Sequence, residues 1–326
     1  MFPVERPRRL RRTRAIRQLV AETTLAPSDL VLPLFVAEGR TEPWPIPSLP
    51  GHVQHTVDSL VHEVKRAQHA GVGGVILFGV PNQKDEVGSG AYDDNGIAQV
   101  ALRAVRDAIG DEIVVMADLC LDEYTSHGHC GVLNQNGTVD NDRTIALYAE
   151  TAVVQARAGA AVVAPSGMMD GQVDAIRQGL DDAGFTDTII MAYAVKYASA
   201  LYGPFRDAVG VTIQGGGDRR SYQQDAANRR ESWREARADV DEGADLIMVK
   251  PALTNLDVLS DLYAQLDVPL CAYHVSGEYA MVCAAAERGW IDRQAVAIEQ
   301  LTSIRRAGAQ FVLTYFATEV AELLSL

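Results

Sequence analysis

Residues 242–251 read EGADLIMVKP, and stretches of the same kind occur three more times in the chain. They are AGVGGVILFG at 70–79, AGAAVVAPS at 158–166 and AGAQFVLTYF at 307–316. Each stretch places a glycine, which suits the left-handed turn that ends a helix, just before a short apolar run. A continuous apolar run of this length is typical of a parallel strand that is buried on both faces. The repeated stretch therefore predicts a unit of helix, turn and buried strand.

Four further apolar runs lie between these stretches and complete a set of eight. The predicted strands are 30–36, 74–80, 112–119, 161–166, 188–195, 245–250, 269–275 and 311–317. Helical patterns follow them at 58–70, 96–109, 143–158, 171–183, 223–242, 255–266, 278–288 with 293–306, and 318–325. Eight strands that are each followed by a helix predict an α/β fold, a single (β/α)₈ barrel of the TIM type. A doubly wound open sheet is the alternative, but it would usually bring a GxGxxG stretch after an early strand, and the chain has none.

The first 30 residues differ in charge from the remainder of the chain. Seven arginines and one glutamate give residues 1–20 a charge of +6, whereas the whole chain of 326 residues carries −14. We therefore expect an extended N-terminal arm at 1–30 and the catalytic barrel at 31–326. The arm could bind nucleic acid or direct transit, or it could dock on an acidic protein surface. Because the acidic body repels phosphates, we favour docking on protein and expect no nucleic-acid partner.

The chain shows no signal for a membrane or for secretion. No apolar run approaches the roughly 20 residues that a membrane helix needs, and arginines occupy the positions where a signal peptide would be apolar. Four cysteines in a chain of this length do not make a disulfide framework. We expect a cytoplasmic protein with no membrane partner.

Polar residues at the carboxyl ends of barrel strands are the catalytic candidates. The chain has only four lysines beside 25 arginines, and two of them, Lys196 and Lys250, close apolar strands. Burial and a neighbouring cation both lower the pKa of a lysine, so that its free amine can attack a carbonyl. The alternative is a lysine that extends from a strand end into solvent. The other polar residues at these ends are Asp118, Ser166, Tyr273, Ser276 and Tyr315.

A long polar segment follows Lys196 and carries several arginines. It contains Arg206, Arg219 and Arg220, with three consecutive glycines at 215–217. Loops of this length in a compact domain are often lids, and an arginine fork matches a carboxylate, although each arginine alone could simply be solvated. Together with the two lysines, this segment predicts a keto acid substrate.

A third group of candidates lies after the strand at 112–119. Cys120 and Asp122 fall on one side of an extended strand end, and the turn at Gly128 can bring Cys130 back to them. Thiolate and carboxylate ligands suit zinc, with one position left for water or substrate. The spacing alone leaves open whether these residues bind a metal or belong to the core.

These segments together resemble the porphobilinogen synthase family, also called 5-aminolaevulinate dehydratases. The resemblance rests on seven stretches in the family's order: DLCLDEYTSHGHCG (118–131), APSGMMDG (164–171), AYAVKYASALYGPFR (192–206), GDRRSYQ (217–223), MVKPAL (248–253), YHVSGEYAM (273–281) and RRAGAQFVLTYFA (305–317). It implies a hydro-lyase that condenses two 5-aminolaevulinates into porphobilinogen, with loss of two waters, for haem and other tetrapyrroles. It also implies Schiff bases on Lys250, for the propionate side, and on Lys196, for the acetate side.

The same resemblance implies further roles. Arg206, Arg219, Gln223, Ser276 and Tyr315 would position carboxylates, and Asp118, Ser166 and Tyr273 would line the site. Cys120, Asp122 and Cys130 would bind zinc, and Glu235 would bind an allosteric magnesium ion. The arm would embrace another subunit and build dimers and octamers.

The chain departs from the family's pattern at two positions. Asp122 stands where zinc-rich members carry a third cysteine, which changes a three-sulfur site into a mixed one. Gly167 stands where many relatives have aspartate. Two other functions remain as alternatives: a class I aldolase, which needs one strand-end lysine and no cysteine loop, and a barrel without catalysis that serves as a scaffold.

Overall fold

The structure, a computed structural model, describes residues 4–213 and 218–325. Its strands are β1 (Leu30–Ala37), β2 (Trp44–Pro45), β3 (Val53–His55), β4 (Gly74–Val80), β5 (Val114–Leu119), β6 (Val162–Pro165), β7 (Ile189–Lys196), β8 (Leu246–Lys250), β9 (Leu270–His274) and β10 (Phe311–Thr314). The helices are α1 (Arg14–Leu19), α2 (Val57–His69), α3 (Ile97–Ile109), α4 (Asn141–Arg157), α5 (Gln172–Asp182), α6 (Gly203–Val209), α7 (Arg230–Asp241), α8 (Leu256–Tyr263), α9 (Ser276–Glu287), α10 (Arg293–Arg306) and α11 (Ala317–Leu324).

Eight of these strands form a closed parallel barrel. The order is β1, β4, β5, β6, β7, β8, β9 and β10, and β10 pairs with β1 to close the ring. Every residue of β1 is buried, as the continuous apolar run predicts. The predicted (β/α)₈ barrel is confirmed, and the open-sheet alternative is excluded. Because all eight strands run in one direction, their carboxyl ends meet at one mouth of the barrel.

One irregularity in the barrel decides which side chains meet at that mouth. In the β7–β8 pair, Ala192 lies opposite Ile247 and Val195 lies opposite Val249. Between these two pairs β7 advances by three residues and β8 by only two. The extra residue in β7 is a bulge, and a bulge shifts every later residue of its strand by one position. Lys196 therefore pairs with Lys250, whereas regular pairing would place Val195 there.

The structure differs from the sequence prediction in the segment that follows Lys196. The predicted loop contains a 3-10 helix, Ala200–Tyr202, and α6, which has Pro204 in its first turn and ends at Gly210 in the left-handed region with φ of 58°. Pro and Gly at these positions favour a short helix. The glycines at 215–217, predicted to belong to a mobile lid, lie outside the described residues.

The predicted helix at 223–242 begins later than expected, at Arg230. The residues before it pair with the end of β7 instead: the Gln224 amide donates to the Lys196 carbonyl at 3.0 Å, and the Ala198 amide donates to the Gln224 carbonyl at 2.9 Å. The antiparallel β2–β3 pair, with β3 lying beside β1, was not predicted either. Both cases depend on pairing between distant segments, which helical periodicity does not report.

The N-terminal arm contains a 3-10 helix at Pro7–Arg11 and the short helix α1, and neither has a buried residue. Leu10 is 56% exposed and Leu19 is 86% exposed. Within the described part of the chain, no helix combines the length and the apolar character that crossing a membrane requires. All four cysteines are buried and free.

Candidate active site

The two strand-end lysines lie side by side at the mouth of the barrel. Lys196 closes β7 and Lys250 closes β8, with their Cα atoms in register. Both side chains are buried: the lysines are 4% and 5% exposed. Two ammonium groups at such a place repel each other and lack water, and both effects favour a neutral amine.

Aromatic rings surround the amine of Lys250. Its Nζ lies 4.4 Å from the ring centroid of Tyr273, 5.0 Å from that of Tyr193, and 5.3 Å from those of Tyr202 and Phe205. Burial among these rings, and then the positive charge of Lys196, lower the pKa of Lys250 to about 7. A large fraction of the Lys250 amine is therefore uncharged and nucleophilic at neutral pH.

Lys196 shares one of these rings, since its Nζ lies 5.6 Å from the centroid of Tyr193, and it also has a polar neighbour. Its Nζ donates a hydrogen bond to the carbonyl oxygen of Ser166 at 2.5 Å. The Ser166 hydroxyl in turn donates to Asp118 at 3.2 Å. Burial raises the pKa of Asp118 to about 6, against the opposing charges of Lys250 and Lys196. The carboxyl ends of β5, β6 and β7 are thus joined by hydrogen bonds, and Asp118 also interacts electrostatically with Lys250 at the end of β8.

Cys120, Asp122 and Cys130 come together beside these residues. All three are buried, and one ligand atom from each lies within 4.8 Å of the others. The Tyr148 hydroxyl donates to the carbonyl oxygen of Cys130 at 2.6 Å and lies 3.7 Å from the Cys120 sulfur. Two thiols and a carboxylate at this separation could hold a metal ion.

A buried ion pair holds the carboxylate of this group. Arg219 Nη2 lies 2.7 Å from Asp122 Oδ2 and donates a second hydrogen bond, 2.8 Å long, to the Gly128 carbonyl. Burial opposes the ionisation of Asp122, but the charges of Arg219 and Lys196 outweigh it and hold the pKa of Asp122 well below its usual range. Asp122 thus contacts both the thiols and the polar segment after β7.

Several buried hydrogen-bond donors at the site have no partner among the described residues. They are Nε of Arg206, Nε of Arg219 and Nε2 of Gln223. Burial, and then the neighbouring charge of Arg219, lower the pKa of Arg206, so the two guanidinium groups lie near each other. Two adjacent cations with free donors suit a ligand carboxylate.

The remaining candidates lie at the ends of β9 and β10. The hydroxyls of Tyr273 and Tyr315 are 3.2 Å apart, and burial raises the pKa of both phenols. The Ser276 hydroxyl, in the first turn of α9, accepts a hydrogen bond from the Phe205 amide at 3.0 Å. This bond joins α9 to the helix that carries Arg206.

Glu235 lies on α7, outside this cluster of lysines and thiols. It lines a cavity of about 420 Å³ together with Asp170, Glu231 and Gln223. Burial, and then Asp170 and Glu231, raise the pKa of Glu235. Among residues 4–213 and 218–325, three potential metal ligands meet only at Cys120, Asp122 and Cys130, so no second such group surrounds Glu235.

The sequence interpretation missed several residues of the site. Three aromatic rings around the Lys250 amine come from β7 and the segment that follows it, namely those of Tyr193, Tyr202 and Phe205. The sequence had linked this segment only to Lys196 and the lid. Tyr193 precedes Lys196 by three residues, a spacing that regular strand alternation places on opposite faces. The bulge in β7 changes this alternation and lets both side chains face the barrel mouth. The sequence carries no clear sign of the bulge.

Comparisons with known proteins match this chain to one family over almost its whole length. A sequence profile for "Delta-aminolevulinic acid dehydratase" matches residues 4–323. A Streptomyces coelicolor protein of that name is 58% identical over 325 residues, which cover 99% of this chain and 98% of the relative. A Mycobacterium tuberculosis relative with the same name is 58% identical over 322 residues, covering 98% and 97% of the two chains.

A solved structure agrees over almost the whole chain. The Toxoplasma gondii delta-aminolevulinic acid dehydratase (porphobilinogen synthase), in complex with its reaction product porphobilinogen, superposes with a TM-score of 0.97. Its sequence is 45% identical, and the match covers 99% of this chain and 92% of that one.

Proposed function

The chain belongs to the delta-aminolevulinic acid dehydratase family, and we propose that it holds two 5-aminolaevulinates as Schiff bases on Lys196 and Lys250. The family's enzymes are hydro-lyases that make porphobilinogen, and this is the activity that the site supports best. The observation that carries the proposal is the pair of buried lysines in register at the barrel mouth, one with its pKa near 7.

Each amine attacks the ketone carbon of one substrate, and the carbinolamine loses one water to give an imine. A carbon–carbon bond and a carbon–nitrogen bond then join the two substrates, and both lysines leave as free amines. The net reaction converts two 5-aminolaevulinates into one porphobilinogen and two waters. Lys250 takes the substrate that supplies the propionate side, and Lys196 takes the one that supplies the acetate side.

The unpartnered donors provide the selectivity for carboxylates. Arg206, Arg219 and Gln223 offer buried N–H groups that have no partner among the described residues, and a substrate carboxylate would satisfy them. Ser276 and Tyr315 hold the carboxylate of the other substrate at the ends of β9 and β10. Asp118, Ser166 and Tyr273 line the space between the two amines.

Cys120, Asp122 and Cys130 form the proposed zinc site. Their mutual distances fit one ion, and two sulfur ligands favour zinc over magnesium because magnesium prefers oxygen ligands. A zinc ion bound there would polarise a carbonyl or lower the pKa of a bound water. Since Asp122 is a harder ligand than thiolate and already pairs with Arg219, we expect weaker zinc binding than in a three-cysteine relative.

Glu235 belongs to the proposal as an allosteric magnesium ligand. Support for this role comes from the cavity that Glu235 shares with Asp170, Glu231 and Gln223. Because Gln223 is proposed to bind a substrate carboxylate, metal binding in this cavity would affect a substrate-binding residue. Magnesium bound at this place would act by favouring the larger assembly.

The arm belongs to the proposal as the oligomerisation segment at 1–30. Its exposed leucines and its seven arginines fit a partner surface of the same acidic protein. We propose dimers and octamers in which each arm packs on a neighbouring barrel, and we place the protein in the cytoplasm, where its free thiols stay reduced.

The experiment that tests this function is incubation of the protein with 5-aminolaevulinate, followed by detection of a pyrrole with Ehrlich's reagent. Colour that depends on both protein and substrate supports the proposal. If an imine forms on one lysine without any pyrrole, an aldolase-like barrel fits better. If neither imine nor pyrrole forms, the chain is a scaffold without this activity.

A further inference from the structure

Glu278 is a buried carboxylate to which the proposed mechanism gives no task. It lies in the first turn of α9 and is 1% exposed. One of its oxygens accepts the Val275 amide at 2.6 Å, and the other accepts the Leu253 amide at 2.8 Å. Burying a carboxylate costs free energy, so both oxygens need such donors.

The two hydrogen bonds join two parts of the active site. Leu253 lies three residues after Lys250, in the turn that leaves β8. Val275 comes directly before Ser276, which we assign to a substrate carboxylate. The same turn is attached to β9, because the Ala252 amide donates to the Tyr273 carbonyl at 2.9 Å. Glu278 therefore fixes the exit of β8 relative to the first turn of α9.

Helix capping explains only half of this arrangement. The hydrogen bond to the Val275 amide is the usual return contact of a capping box. A capping box makes no use of the Leu253 amide, which belongs to a separate element 25 residues earlier. The second oxygen therefore serves a connection that the stability of α9 does not require.

We propose that Glu278 is a positioning residue that sets the Lys250 amine relative to the carboxylate-binding turn at Ser276. This inference rests on the proposed function, since it assumes an imine on Lys250. In Glu278→Gln, one acceptor becomes an NH₂ donor that faces a backbone N–H, so one of the two connections breaks. A misplaced amine forms its imine more slowly because reaction depends on alignment over distances of an ångström or less.

The test measures imine formation at each lysine separately. Wild type and Glu278→Gln are incubated with saturating 4-oxopentanoate, which forms an imine but cannot complete the condensation. The imines are trapped with cyanoborohydride, and peptide mass spectrometry gives the rate for each lysine. We expect Glu278→Gln to lower the rate at Lys250 about tenfold or more, with less than a twofold change at Lys196.

Asp245→Asn is the matched control, because Asp245 is also a carboxylate that accepts a backbone amide, that of Ile190, at 2.8 Å. This hydrogen bond lies at the amino ends of β7 and β8, away from the two lysines. It should leave both trapping rates unchanged. Glu278→Asp keeps the charge but cannot span both amides, so it should show a smaller loss of the same kind. Equal losses at both lysines, an unchanged Lys250 rate, or failure of both Glu278 variants to fold would overturn the proposal. If wild type gives no adduct on Lys250, the proposed function itself fails.

Discussion

Lys196 and Lys250 share one barrel mouth and the ring of Tyr193, but the other neighbours of their amines differ. The Lys196 amine donates to a carbonyl oxygen, whereas four aromatic rings lie around the Lys250 amine. The rings exclude water from the amine, and this burial is the main cause of the lowered pKa of Lys250. The positive charge of Lys196 is the second cause. We therefore expect Lys250 to react first.

Imine formation on Lys250 should become faster as the pH rises through about 7, since only the neutral amine attacks a carbonyl. In Lys196→Ala, the neighbouring positive charge is lost, so the pKa of Lys250 rises and the midpoint of the profile moves to higher pH. The measurement is the rate of cyanoborohydride trapping at Lys250 between pH 5 and 10. A wild-type midpoint near the ordinary lysine value of about 10 would contradict this account.

Asp122→Cys should bind zinc about tenfold more tightly than wild type, because a third thiolate is a softer ligand. The variant also removes the partner of a buried guanidinium, so its metal-free form should be less stable by about 3 kcal/mol. Competition with a coloured chelator gives the affinity, and urea denaturation gives the stability.

Asp122→Asn is the control for the metal experiment, since it keeps the shape of the side chain and loses the charge. It should bind zinc more weakly than wild type. Elemental analysis and activity after exhaustive chelation complete the test. If stripped wild type keeps full activity and zinc neither binds nor stimulates it, the zinc assignment is wrong.

Much of the candidate site could be predicted at the residue scale from strand ends. Lys196, Lys250 and Asp118 each close an apolar run, and parallel strands bring such ends together. The Asp122–Arg219 pair could not be predicted, because 97 residues separate its members and no local pattern links them. Glu278 was missed for the same reason.

At the scale of elements, the mouth depends on how strands and loops pack against each other. The bulge in β7 brings Lys196 opposite Lys250. The loop after β6 passes so close to α4 that a Cβ on Gly167 would come within 1.8 Å of the Tyr148 hydroxyl. That hydroxyl also supports the Cys130 carbonyl. A side chain at Gly167 would therefore collide with Tyr148 unless α4 or the loop moved.

Gly167→Ala should reduce the free energy of unfolding by about 2 kcal/mol, because α4 or the loop must move to admit the methyl group. Displacement of Tyr148 should also weaken zinc binding. Gly203→Ala is the matched control, since a Cβ at Gly203 meets no atom within 4 Å. Urea denaturation of the three proteins measures the effect, and equal stability of Gly167→Ala and wild type would contradict the packing argument.

Element positions were largely predictable, and element ends were less so. Eight apolar runs identified the eight barrel strands, because buried parallel strands have the simplest pattern in the sequence. The bulge, the β2–β3 pair and the late start of α7 depend on backbone pairing between separate segments. Hydrophobic periodicity contains no information on such pairing.

At the scale of the whole molecule, the barrel and the arm differ in what holds them. The barrel has a continuous apolar core that includes residues of all eight strands. The described part of the arm buries none of its helical residues on the barrel. Leu19, at the end of α1, is 86% exposed. The fold of the barrel could be predicted from the sequence, because its strands are continuous apolar runs.

Removal of residues 1–25 should leave a folded barrel that forms smaller assemblies and has weakened activity. In the proposed oligomer the arm contributes interface area to symmetric particles, and the barrel strands begin only at Leu30. Light scattering gives the particle size, and circular dichroism shows whether the barrel persists. Replacement of the seven arginines by glutamine in the full-length chain should have a similar effect. Identical particle sizes for truncated and intact protein would count decisively against this role.

In the proposed reaction Lys196 and Lys250 carry the substrates, and covalent trapping tests this role most directly. Borohydride added to protein and 5-aminolaevulinate should inactivate the enzyme, and peptide mapping should place the reduced adduct on Lys250. Lys250→Ala should abolish porphobilinogen formation, and Lys196→Ala should lower it by several orders of magnitude. An adduct mapped to Lys65 or Lys84, or full activity in Lys250→Ala, would contradict the account.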